Sequence, residues 1–173
     1  MTTGDRTGHT DARVEGRLTH VRADGSAHMV DVSDKPVTAR TATAESTVAT
    51  RPEVVAQIFD GDLPKGDALA VARVAGIMAA KKTPELVPLC HPLPISGVTV
   101  DFARPADRDD AVHIRATVRT TGVTGVEMEA LTAASVAALT VYDMIKALDR
   151  GAQITATRVV EKAGGVSGDW SRG

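Results

Sequence analysis

Apolar positions along this chain follow two rhythms, and the change from one to the other marks its elements. From Val37 to Thr50, small apolar and hydroxyl residues alternate, the period-two pattern of a strand with one covered face. Val54, Val55, Ile58 and Phe59 then recur at helical spacing until Gly61, a residue suited to ending a helix. Thr50 stands three residues before Glu53, which is capping-box spacing and predicts the helix start. Asp67 is placed to cap a second helix running to about Lys82, and Thr83-Pro84 ends it.

Alternation returns at Val98, Val100 and Phe102, and again at Val112, Ile114, Ala116 and Val118. These predict two antiparallel strands joined by the charged turn from Arg104 to Asp110. A long helix from about Ala130 to Asp149 follows, Gly151 marks its end, and Ile154 to Val160 supplies a last strand. The order strand, helices, strand, strand, helix, strand is the split βαβ pattern of an α+β ferredoxin-like fold. It predicts an antiparallel sheet with helices packed on one face. Residues 1–17 lack apolar periodicity and read as a flexible tail. Residues 18–173 then form a single domain ending in a Gly-rich mobile loop, 162–173.

At 173 residues and 43% apolar content, the chain can bury one sizeable core. Lys and Arg total 20 against 22 acidic residues, so no general field exists for gripping nucleic acid or an anionic membrane. An anionic ligand must be held by a local cluster. A single cysteine excludes an intrachain disulfide framework. No apolar leader-like run opens the chain, and no later uncharged run reaches membrane-spanning length; both predict a cytoplasmic protein without membrane partners. The aromatic residues are Phe59, Phe102, Tyr142 and Trp170, too few for an RNA-binding sheet face. A core so poor in large side chains favours recovering burial in an oligomer, and the Ala-rich long helix suits a neighbouring subunit.

Candidate chemistry collects at the ends of that helix. Asp143 and Lys146 stand three apart and share a face, while Glu127 and Glu129 lie where the helix dipole prefers anions. Three prolines between Pro88 and Pro94 hold Cys90-His91 in a fixed extended loop. Adjacent Cys and His lack zinc-ligand spacing. The segment from Lys162 to Gly168 can wrap backbone N–H groups around phosphate, though it is no P-loop. Each feature also has a plain structural explanation: an exposed ion pair, a helix cap, a hydrogen-bonded loop histidine.

Taken together they resemble the MoaC family of molybdenum cofactor biosynthesis. The resemblance rests on Pro88-Leu89-Cys90-His91-Pro92-Leu93-Pro94 and on Gly125-Val126-Glu127-Met128-Glu129-Ala130-Leu131-Thr132. It is extended by His28-Met29-Val30-Asp31-Val32, Lys65-Gly66-Asp67, Ala72-Arg73-Val74-Ala75-Gly76-Ile77 and Lys162-Ala163-Gly164-Gly165. The same fold is implied. So is conversion of 3′,8-cyclo-7,8-dihydro-GTP to cyclic pyranopterin monophosphate with release of pyrophosphate.

By resemblance, Asp143 is the catalytic acid or base, joined by Lys65, Lys146 and His91. Leu89, Cys90, His91, Glu127, Met128, Glu129 and Lys162 contact the substrate. No tightly bound cofactor or metal is implied, although Mg can accompany the substrate phosphates. A homohexamer built as a trimer of dimers, with sites at subunit interfaces, is also implied. Val166 departs from the family habit of a basic residue at its position.

Glu129 and Asp143 are fourteen residues apart on one predicted helix, about 21 Å along its axis. One reacting atom cannot be served by both, so a two-fold neighbour with its helix antiparallel is expected to supply Asp143 and Lys146, with Lys65 beside His91. Whether desolvation or pairing controls the Asp143 pKa stays open at this level. The alternative is a ferredoxin-like ligand-binding module without catalysis, which turnover would distinguish.

Overall fold

A computed structural model describes residues 24–166 and 168–173; the predicted tail, 1–17, lies outside the described residues. Strand β1 (Thr38–Ala49) leads into α1 (Pro52–Asp60), α2 (Ala68–Lys81) and a one-turn α3 (Thr83–Leu86). Strands β2 (Ile95–Ala103) and β3 (Ala111–Gly122), helix α4 (Glu127–Ile145), and strands β4 (Gln153–Ala163) and β5 (Trp170–Ser171) complete the order. The sheet runs β2-β3-β1-β4-β5, with every neighbouring pair antiparallel. This is the predicted split βαβ arrangement with a short fifth strand added at one edge.

The covered face of the sheet is built by alternation. Ala42, Ala44 and Val48 of β1, and Val112, Ile114, Ala116 and Val118 of β3, are buried. Against them lie Ala130, Ala133, Ala134, Ala137, Ala138, Val141 and Ile145 of α4, each fully buried. By length and composition α4 could cross a membrane, but this apolar surface is taken up by the protein's own core. The small residues expected to serve a neighbouring subunit pack within the chain instead: a Cβ on Gly76 of α2 would stand 2.9 Å from the Ala133 carbonyl oxygen. What α4 leaves uncovered is a narrower seam in which Leu139 is exposed. On the other side of the sheet, Glu45 accepts from Arg115 at 2.6 Å, and Thr43 and Thr117 share a 3.0 Å hydrogen bond.

Helix boundaries differ from the sequence expectation at three places. The capping box does not form: α1 begins at Pro52 behind Arg51, and no side chain caps it. The Thr50 hydroxyl donates instead to Asp149 at 2.7 Å, and Pro at N1 sets φ for the first turn. Thr83-Pro84 ends α2 as expected but opens α3, whose first turn likewise tolerates proline. Helix α4 runs from Glu127 to Ile145, starting three residues earlier than expected and stopping well before Gly151. At its far end, Leu148 and Asp149 N–H groups both turn back onto the Ile145 carbonyl. Gly61 and Asp67 act as read, the first in the left-handed region at φ 80° and the second accepting from Ala70 N at 2.9 Å.

Candidate active site

Both ends of α4 carry a cluster, and the two are distinct. At the amino end, Leu89, Cys90, His91, Met128 and Glu129 line a cavity of about 430 Å³, walled also by Val30, Val32, Val87 and Leu93. The walls are apolar because the Pro88–Pro94 loop and the 30–32 segment turn aliphatic side chains onto the first turn of α4. Glu129 is only 3% exposed. Burial pushes its carboxyl above the usual carboxylate range, and the neighbouring Glu127 adds to this. Burial and then Glu129 likewise push the Cys90 thiol up, so Cys90 is a protonated wall and not a thiolate nucleophile.

A second cavity, also about 430 Å³, shares Lys35, Thr124 and Gly125 with the first as common wall. Its lining includes Glu127, Lys162 and Val166. Lys162 lies 3.5 Å from the Glu127 carboxylate, and that carboxylate folds back into the space a Cβ on Gly125 would need. The predicted Gly-rich segment is more regular than a loop: Lys162 and Ala163 belong to β4, and Trp170 pairs with Lys162 across to β5. Between them Gly164 and Gly165 take φ of 86° and 80°, values open to glycine without strain.

Arg40 was missed by sequence reasoning. It is buried, its Nε donates to the Gly122 carbonyl at 2.9 Å, and it lines the second cavity. Its Nη1 occupies the space a side chain at Gly165 would take. Among the described residues no carboxylate lies within ion-pairing distance of it. A guanidinium so buried normally has an anionic partner. The signal in the sequence was its parity: Arg40 shares the covered register of Ala42 and Ala44. Lys35, common to both cavities, follows the motif at 28–32 and was likewise missed by sequence reasoning.

The carboxyl end of α4 holds Asp143, Lys146 and Lys65. Lys146 Nζ lies 2.6 Å from Asp143 Oδ1, and Lys65 Nζ lies 3.6 Å from Oδ2. Lys65 therefore belongs with Asp143, not with His91 as expected. The loop after α1 runs along the carboxyl end of α4, whereas the proline loop crosses its amino end. The Lys146 hydrogen bond and charge, followed by Lys65, hold the Asp143 carboxyl below the usual range. The same contact raises Lys146. Among the described residues no group of three or more His, Cys, Asp or Glu gathers as a metal site.

The pattern of the MoaC family matches residues 29–165, most of the chain. The chain belongs to the MoaC family. It is 68% identical to a cyclic pyranopterin monophosphate synthase of Corynebacterium efficiens over 89% of its own length and 97% of that protein. It is 59% identical to the Streptomyces coelicolor protein of the same name over 99% of each chain, and 58% identical to one from Chloroflexus aurantiacus over 93% and 98%. The MoaC match takes in both clusters of α4 and the Gly164-Gly165 turn, and it stops just before Val166. Val166, 83% exposed at the rim of the second cavity, thus lies just outside the matched residues.

Proposed function

We propose that this chain converts 3′,8-cyclo-7,8-dihydro-GTP to cyclic pyranopterin monophosphate and pyrophosphate in the cytoplasmic synthesis of molybdenum cofactor. Relatives of that name, matching nearly end to end, support the reaction. One geometric observation carries the assignment of the site: an apolar cavity with one buried carboxyl shares the wall residues Lys35, Thr124 and Gly125 with a neighbouring cavity lined by Arg40, Lys35 and Lys162. A purine-derived ring carrying a triphosphate has that division of character. The ring would lie against Leu89, Cys90, His91, Met128 and Glu129. The phosphates would lie toward Arg40, Lys35 and Lys162, with Glu127 orienting Lys162, and Mg would travel on the phosphates.

Closing the cyclic phosphate requires a substrate hydroxyl oxygen to bond the α-phosphorus while the α–β anhydride bond breaks and pyrophosphate leaves. The hydroxyl proton needs an acceptor, and the developing negative charge needs cations. Asp143, held ionised between Lys65 and Lys146, offers both functions in one cluster. Asp143 lies at the carboxyl end of α4 and the cavity lined by His91 at its amino end, which supports reading the site as one completed by another subunit. A two-fold partner with α4 antiparallel, within a hexamer of three such dimers, brings the partner's cluster to this chain's cavities. Incubating purified protein with the cyclic dihydro-GTP substrate should yield the pterin product and one equivalent of pyrophosphate without added nicotinamide or flavin. Absence of both products, with and without magnesium, would leave ligand binding without catalysis as the function.

A further inference from the structure

The Lys65, Asp143 and Lys146 side chains are 42%, 58% and 53% exposed, and ion pairs between groups so exposed impose little rigidity. Catalysis nonetheless requires such groups to be held to a fraction of an ångström. Helix α4 cannot supply the constraint beyond Ile145, where it ends. The hold comes from Asp149. Its Oδ2 accepts from Thr50 Oγ1 at 2.7 Å and from the Arg51 N–H at 3.3 Å, and its Oδ1 accepts from the Gly151 N–H at 2.8 Å. Arg51 returns the contact through Nη2, which donates to the Leu148 carbonyl at 2.7 Å.

Thr50 and Arg51 are the root of α1, and the chain leaving α1 carries Lys65 back to the Asp143 carbonyl at 2.8 Å. The turn after α4 and the segment that delivers Lys65 are thus fastened to each other at Asp149. We propose that Asp149 is a positioning residue that fixes Lys65 against Asp143 and Lys146 by locking the end of α4 to the start of α1. This rests on the catalytic role proposed above for that cluster.

Turnover of Asp149→Asn, Thr50→Val and Thr50→Ser should be measured beside Asp143→Asn. The amide at 149 turns one acceptor into a donor facing N–H groups. Asp149→Asn is expected to lower kcat by about ten- to a hundredfold, the scale of a small misplacement, with KM changed less than twofold. Thr50→Val should give a smaller kcat loss in the same direction, and Thr50→Ser, which keeps the hydroxyl, should restore parental kcat. If Asp149→Asn fails to fold, the Val and Ser pair at Thr50 decides alone. Variants that lose thermal stability yet keep kcat at 25 °C would make the Asp149 contacts merely structural and overturn the proposal. Parental kcat in Asp143→Asn would instead remove the catalytic reading beneath it.

Discussion

Lys65 meets Asp143 twice: its ammonium donates to the main-chain carbonyl at 2.8 Å and lies 3.6 Å from the carboxylate. With Lys146 at 2.6 Å on the other oxygen, the carboxylate is bracketed by two cations in open surroundings. Pairing therefore outweighs desolvation, which answers the question the sequence left open about this group. Asp143 is a carboxylate at neutral pH and Lys146 an ammonium, so the cluster holds a proton acceptor and a proton donor side by side.

Replacing Asp143 with Asn should lower kcat by about two to four orders of magnitude, the range of a lost general acid or base. The side chain is exposed and makes no core contact, so the thermal midpoint should stay near that of the parent. Steady-state kinetics with a melting curve on the same preparation check both. Parental turnover with a depressed midpoint would make Asp143 structural.

Glu129 titrates in the opposite sense. Its folded-state pKa is raised above the ordinary 4.5 by burial, so between those two values the folded chain binds more protons than the unfolded one. Stability then falls as pH rises through that window, and above it the native state carries a buried charge. Glu129→Gln removes the titration while keeping the shape. The variant should gain midpoint relative to the parent at pH 7.5 and show little or no gain at pH 4. Equal differences at the two pH values would show that Glu129 is not held protonated by the fold.

The sheet, its strand order and the helical face were legible because alternation and helical spacing switch cleanly along the chain. Gly61 and Asp67 carry their usual backbone roles. Thr50 misled because its hydroxyl had a second partner ninety-nine residues away in Asp149, and no local pattern announces a long-range competitor. Arg40 was overlooked because a buried cation looks like any exposed one until the register of its strand is fixed. Lys65 was placed at the wrong end of α4 for a related reason: its motif fixes what kind of residue it is, while the path of the loop after α1 decides which end it reaches. The separation of Glu129 and Asp143 to opposite ends of α4, by contrast, followed from the rise of a helix alone.

Val166 stands 83% exposed on the rim of the cavity that holds Arg40 and Lys162. A lysine there would add a cation within reach of a triphosphate in that cavity, at a position without packing to lose. Val166→Lys should lower KM at low ionic strength, and the gain should shrink as salt screens the contact. Turnover at saturation should change little, because the added contact is present before and during reaction alike. An unchanged KM at low salt would place the phosphates elsewhere.

Sharing of the site between subunits has a test that the arrangement of Lys65 makes sharp. His91 and Asp143 lie at opposite ends of α4, so in an antiparallel pair each site takes His91 from one chain and Asp143 from the other. Mixing His91→Ala with Asp143→Ala, after mild dissociation and reassembly, creates dimers in which one site is doubly defective and the other wholly wild type. At equal mixing about a quarter of all sites recover, and activity should rise from baseline toward that fraction. The pair Lys65→Ala and Asp143→Ala serves as the control. Lys65 and Asp143 come from the same chain, so every mixed site still lacks one of them and no activity should return. Recovery in the control as well as in the His91 pair would group Lys65 with His91, across the interface from Asp143. No recovery in either, with subunit exchange demonstrated by mass-tagged chains, would mean that each chain completes its own site and that the antiparallel pairing is wrong.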